Sequence, residues 1–174
     1  MKKVGSIVIL FIFLFTGCSV QEKMNYHIFF ERMSEHTDGF DFQNSECYVE
    51  GDECICFIKD KNGTDYLFCL FLNKLGDAEK IGFSCNDTEK AEDFIVYIRN
   101  IISVYAPEEN RDDIINSLTE NGKLKNDIIF YETKRYEYCL YSDTEGFYFS
   151  VTNKKLVPSS SIEFSLKVND KTGF

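Results

Sequence analysis

Several features that would announce a chemistry are missing from this sequence. It has only two histidines, His27 and His36, and no HExxH, GxSxG, P-loop or GxGxxG. Zinc-dependent hydrolysis, a serine nucleophile elbow and a phosphate cradle each require one of those sets, so none is expected. A histidine on a surface helix with no nucleophile or orienting acid assigned to it reads as a solvated polar side chain. Asp and Glu pairs are abundant, which makes any one pair uninformative as acid and base. The expectation is therefore no enzyme: no catalytic residue, no cofactor and no metal site. Two prolines, no low-complexity tract and no internal repeat leave no Pro-rich spacer and no solenoid. The long apolar run of a membrane span is missing too. The twelve residues Val4 to Phe15 make about 18 Å of helix against a ~30 Å hydrocarbon core.

What is present begins at the N-terminus. Met1-Lys2-Lys3 is basic, VGSIVILFIFLF is apolar, and Thr16-Gly17-Cys18 leads into a polar stretch with Ser19, Gln21, Glu22 and Lys23. A charged start, a short apolar core and a small-residue exit form an export signal. Phe15-Thr16-Gly17-Cys18 resembles the lipobox of bacterial lipoproteins, with Phe15 where that family usually carries Leu. The resemblance covers residues 1–18 and implies cleavage before Cys18, with a diacylglyceryl group on its sulfur. Two acyl chains suffice for stable attachment to a bilayer. The expected division is a signal peptide over 1–17, a lipidated tether over 18–22 and a single domain over 23–174. The expected location is the extracytoplasmic face of the cell membrane, with the lipid bilayer as a partner through Cys18. A tether this short reaches ~20 Å at most, so partners would be met at the membrane surface.

The 157 residues left after cleavage suit one domain. Apolar residues at 44% and aromatics at 16% argue for a packed core instead of a disordered stalk. Loss of Lys2 and Lys3 leaves 17 basic against 29 acidic side chains, a formal charge of −12. Such a surface repels nucleic acid and anionic headgroups; it reads first as a solvated acidic face, and otherwise as a preference for a basic partner.

Along the chain, Tyr26, Phe29, Phe30 and Met33 recur at helical spacing and predict a helix over 23–37. Strand-like runs follow at 40–49, 53–60, 65–73 and 79–85, divided by turn signals that include Asn62-Gly63. Asn86 to Glu89 reads as a capping box, and Phe94, Ile95, Ile98, Ile101, Ile102 and Tyr105 share a helix face with Ala91. Pro107, Glu108 and Glu109 are expected to open a second helix that buries Ile114, Ile115 and Leu118 and stops near Asn121-Gly122. Strand character returns over 128–141 and 146–153, and residues 162–168 alternate strictly. The predicted fold is α+β: a mainly antiparallel sheet of about six or seven strands with helices on one face, in a two-layer single domain.

Six cysteines remain in the domain: Cys47, Cys54, Cys56, Cys69, Cys85 and Cys139. If Asn62-Gly63 is a two-residue loop, Cys56 lies opposite Cys69 at a non-hydrogen-bonded site, and the pair is a candidate disulfide. Free buried thiols are the competing reading. A metal site is weaker, because Cys54-Ile55-Cys56 lacks the usual zinc-ligand spacing. Tyr131, Tyr136, Tyr138, Tyr141 and Tyr148 enrich the last hairpin, as a recognition face or as ladder packing divided between both faces. The expected role is a membrane-anchored, non-enzymatic domain that binds a protein partner at the cell envelope in the manner of an immunity or inhibitor protein. The alternative is a small-ligand or substrate-binding lipoprotein associated with a transporter.

Overall fold

The computed structural model describes residues 24–42, 45–120, 124 and 127–156. The signal peptide, Cys18 and the alternating stretch 162–168 lie outside them. Among the described residues the chain forms α1 (Tyr26–His36), β1 (Glu46–Glu50), β2 (Glu53–Lys59), β3 (Asp65–Leu72) and β4 (Ala78–Cys85). A 3-10 turn (Thr88–Lys90) then leads into α2 (Ala91–Tyr105) and α3 (Arg111–Leu118), and β5 (Ile128–Glu132), β6 (Tyr136–Ser142) and β7 (Phe147–Asn153) complete the order. The strands make one antiparallel sheet in the order β1-β2-β3-β4-β7-β6-β5. Two meanders thus join at β4 and β7, and the helices between them pack on one face. This is an α+β fold.

Alternation along the strands supplies the core. Cys54, Cys56 and Ile58 of β2, Tyr66, Phe68 and Leu70 of β3, and Tyr136, Tyr138 and Leu140 of β6 turn toward the helices and are buried. Phe29 of α1 meets Phe68 edge-on at 5.9 Å between centroids, and Phe94 of α2 stacks on Phe83 at 4.9 Å. The whole expected α2 face is buried except Ala91, which is partly exposed, and Tyr97 and Val104 join it.

Several expected boundaries move for local reasons. Residues 40–42 and 45 do not extend β1. Phe40 instead stacks on Tyr97 at 4.1 Å and makes an isolated bridge to Asp60. The cap at the start of the second helical segment is Asp87, whose side chain accepts from Glu89 N (3.0 Å), not Asn86. Asn86 is still pressed against the backbone of Gly146 as the chain leaves β4. The α3 helix opens at Arg111, four residues after Pro107. Asn110 caps it by accepting from Asp112 N and Asp113 N, while Glu108 turns to Arg135 and Tyr136. It ends at Leu118, before Asn121-Gly122, and Thr119 N closes on Ile115 O at 3.0 Å.

The largest correction concerns the β2–β3 register. The loop has three residues, Lys61-Asn62-Gly63, closed by Asp60 N to Thr64 O (3.0 Å) with Gly63 at φ +83°. Asp60 Oδ1 accepts from both Asn62 N (2.8 Å) and Thr64 N (2.9 Å), which holds a turn followed by a left-handed glycine. One extra residue shifts every pair, so Cys56 lies opposite Phe68 and Cys69 opposite Ile55. Cys56 and Cys69 therefore point to opposite faces, and the expected Cys56–Cys69 disulfide does not form.

Candidate functional site

Cysteine chemistry in the structure centres on the first hairpin. Gly51-Asp52 is a two-residue loop between Glu50 and Glu53, with Gly51 at φ +59°. Counting outward from that pair, Cys47 and Cys56 meet at a non-hydrogen-bonded site, where antiparallel strands approach most closely. They are joined as a disulfide with Cα atoms 4.1 Å apart. Cys47 is exposed and Cys56 fully buried. The Cys54 thiol lies 3.9 Å from Cys56 Sγ, sulfur to sulfur, and burial raises its pKa. Burial likewise raises Cys85 and Cys139 and pushes Cys69 up to about 11. All four free thiols are thus protonated at neutral pH, the opposite of an activated nucleophile. Among the described residues no group of three or more His, Cys, Asp or Glu could hold a metal ion. His27 is exposed beside Tyr26, and His36 Nδ1 lies 2.9 Å from Arg32 O of its own helix.

The face of the sheet that bears no helix among the described residues carries the less expected feature. One row runs Tyr48, Ile55, Cys69, Gly82, Ser150, Cys139 and Phe130 across all seven strands. The next holds Glu46, Phe57, Leu67, Ser84, Tyr148, Tyr141 and Ile128. Seven strands at ~4.8 Å spacing make this apolar band roughly 30 Å long. Its ends are the most open: Tyr48 is 57% exposed, Phe57 51% and Phe130 67%. The third row runs Glu50, Glu53, Phe71, Lys80, Thr152, Glu137 and Glu132, so glutamates flank the band at both ends. Lys80 at its centre lies over the Phe71 ring at 5.6 Å, and burial lowers its pKa to about 8.

The tyrosines divide between the two faces. Tyr136 and Tyr138 are core residues and Tyr131 packs beside them, while Tyr141 and Tyr148 pair on the open face. No local motif marks Tyr48, Phe57 and Phe130 in the sequence. The available signal is that 54–58 and 66–72 are apolar on both alternating faces, which a strand with one solvated face does not need.

A separate cavity of about 370 Å³ opens beside α1 and the end of α2. Arg32, Asp77, Tyr105, Glu108, Arg135 and Tyr136 contribute to its lining. Arg135 Nη1 pairs with Glu108 Oε1, to which Tyr136 OH also donates (3.1 Å). Arg135 Nε is buried with no partner among the described residues.

Fold and surface together define an open-faced α+β domain, helices on one side and an apolar, glutamate-flanked sheet on the other. The chain matches no family model, no curated protein and no solved structure.

Proposed function

We propose that this chain is a non-enzymatic lipoprotein, anchored through Cys18 at the extracytoplasmic face of the membrane, that binds a protein partner with the open face of its sheet. The observation that carries the reading is the apolar band itself. Tyr48, Phe57, Ile128 and Phe130 leave large apolar area exposed on a face with no helix over it among the described residues. Aromatic anchors ringed by polar residues are the composition of a recognition surface. Glu50, Glu53, Glu132 and Glu137 at its ends, with a formal charge of −12 after cleavage, select a partner whose apolar strip is bordered by Lys or Arg. An immunity or inhibitor role against a basic toxin or enzyme fits that chemistry.

The test captures partners from detergent-solubilised membranes with the wild-type chain and with a Phe57→Ser, Phe130→Ser double variant. One stoichiometric protein, released by salt and not captured by the variant, is the expected result. Equal capture by both chains overturns the surface assignment. Metabolic labelling with a fatty-acid analogue tests the anchor separately: Cys18→Ala should abolish label and leave an uncleaved precursor, and undiminished labelling defeats it.

The 370 Å³ cavity favours a second reading, a small-ligand lipoprotein serving a transporter. Its size is at the lower end of ligand pockets, and it sets two arginines and two carboxylates around a partly aromatic wall. Capture of transporter subunits that survives the double variant would support this reading instead.

A further inference from the structure

We propose that β1 is a latched edge strand: the Cys47–Cys56 disulfide holds it on the sheet, and reduction of that bond releases β1 and makes β2 the new edge.

All five residues of β1 are exposed, and no side chain of β1 belongs to the buried core, which on this side of the sheet begins with Cys54 and Cys56. Among the described residues β1 is the outermost strand and pairs with β2 alone. A strand so placed gains little from apolar burial, and a hairpin arm held mainly by its ladder is marginal in water. The disulfide is therefore its principal anchor. It sits in mid-strand, opposite a residue that is itself fixed in the core.

Access to the bond is one-sided. Cys47 faces water and Cys56 does not, so an incoming thiolate can reach only the Cys47 sulfur. With a dithiol as reductant, one thiolate bonds to Cys47 Sγ and the Cys47–Cys56 bond breaks, leaving the electron pair on Cys56, which takes a proton. The second thiolate of the dithiol then attacks its own sulfur in the mixed disulfide. Cys47 leaves and is protonated, and the dithiol departs as a cyclic disulfide. The protein gains two electrons and two protons, and the dithiol is oxidised. The neighbouring Cys54 thiol is kept protonated by burial, so the latch opens from outside and not by internal exchange.

Release would have a defined consequence. From the Glu50–Glu53 pair outward, the residues of β2 whose peptide groups face β1 alternate as Glu53, Ile55 and Phe57. Freed of β1, they form an unpaired edge able to accept an extended strand.

Hydrogen–deuterium exchange of the folded full chain tests this, comparing the oxidised protein, the dithiol-treated protein and a Cys47→Ser variant. The expected result is that the ladder amides of Glu46, Tyr48 and Glu50, with Ile55 and Phe57, exchange at least about tenfold faster in the last two, while Leu70, Ile81 and Phe83 keep their protection. The protected centre reports that the domain remains folded in each case. Unchanged protection of β1 overturns the proposal, because the ladder alone then suffices. Simultaneous loss at β1 and at the sheet centre overturns it too, because the bond would then hold the whole domain and not one strand.

Discussion

Gly146 lies where β7 begins, against the end of β4. A methyl group there would stand 2.3 Å from Cys85 O and 2.9 Å from Asn86 Cα, both of them backbone atoms that cannot swing aside. Space alone therefore demands glycine. Gly51 is the converse: a methyl group on its Cα would meet nothing within 4 Å, but φ is +59°, so only its backbone conformation resists substitution. Gly146→Ala should cost roughly 1–3 kcal/mol as an overpacked site, and Gly51→Ala about 1 kcal/mol through the left-handed region. Urea titration of both variants checks this. A Gly146→Ala chain within about half a kcal/mol of wild type would mean the β4–β7 junction is loose. Asp60 shows how one side chain governs a whole strand: its carboxylate accepts two amides of the following turn, and that choice moves every pair of β2 and β3 by one.

Among the elements, α2 shows most directly how packing follows from periodicity. Phe94, Ile98, Ile101 and Ile102 are at most 1% exposed, and the helix lies against the sheet through Phe83 and Phe147. Ile98→Ala should lose roughly 2–5 kcal/mol in denaturant titration, the range for a buried aliphatic that leaves a cavity. A loss below half a kcal/mol would contradict the packing. That helix and the strands were legible because a period of 3.6 or 2 persists over many residues and averages out local exceptions. Loops have no such redundancy. Asn62-Gly63 satisfied the two-residue turn rule, yet Asp60 two positions earlier offered a competing acceptor, and the Cys56–Cys69 pairing failed with the register. The same counting rule applied to Gly51-Asp52 pairs Cys47 with Cys56, as observed. The disulfide was thus within reach of the sequence through the neighbouring hairpin. The open face was half legible: strands apolar on both faces were visible, but which face the helices leave bare depends on tertiary packing.

For the whole molecule, burial of acidic groups in their neutral forms sets the response to alkali. Cys54, Cys69, Cys85 and Cys139 all have thiols raised by burial, Cys69 to about 11, and burial also raises the core tyrosines Tyr66, Tyr97, Tyr105, Tyr136 and Tyr138. Each of these groups binds its proton more tightly folded than unfolded. The stability it contributes is complete below its unfolded pKa, near 9 for the thiols and near 10 for the tyrosines, and is lost as pH rises toward the folded value. Lys80 works the other way. Burial lowers it from 10.5 to about 8, so between those values the unfolded chain holds more protons and stability rises with pH. Four thiols and five core tyrosines oppose one amine, and the thiols begin to act at the middle of the lysine window. The expected profile of Tm is therefore nearly flat or slightly rising from pH 8 to 9, then a steepening fall to pH 11. Exposed tyrosines such as Tyr48 ionise in the folded protein, but the core share of the tyrosinate absorbance should appear together with unfolding, because the core phenols ionise only once water reaches them. Thermal scans at fixed ionic strength check the profile, and Lys80→Met should remove the rising limb while leaving the fall. A Tm that holds steady to pH 11, or tyrosines that titrate fully in the folded protein, would show that these side chains are not buried as the fold places them.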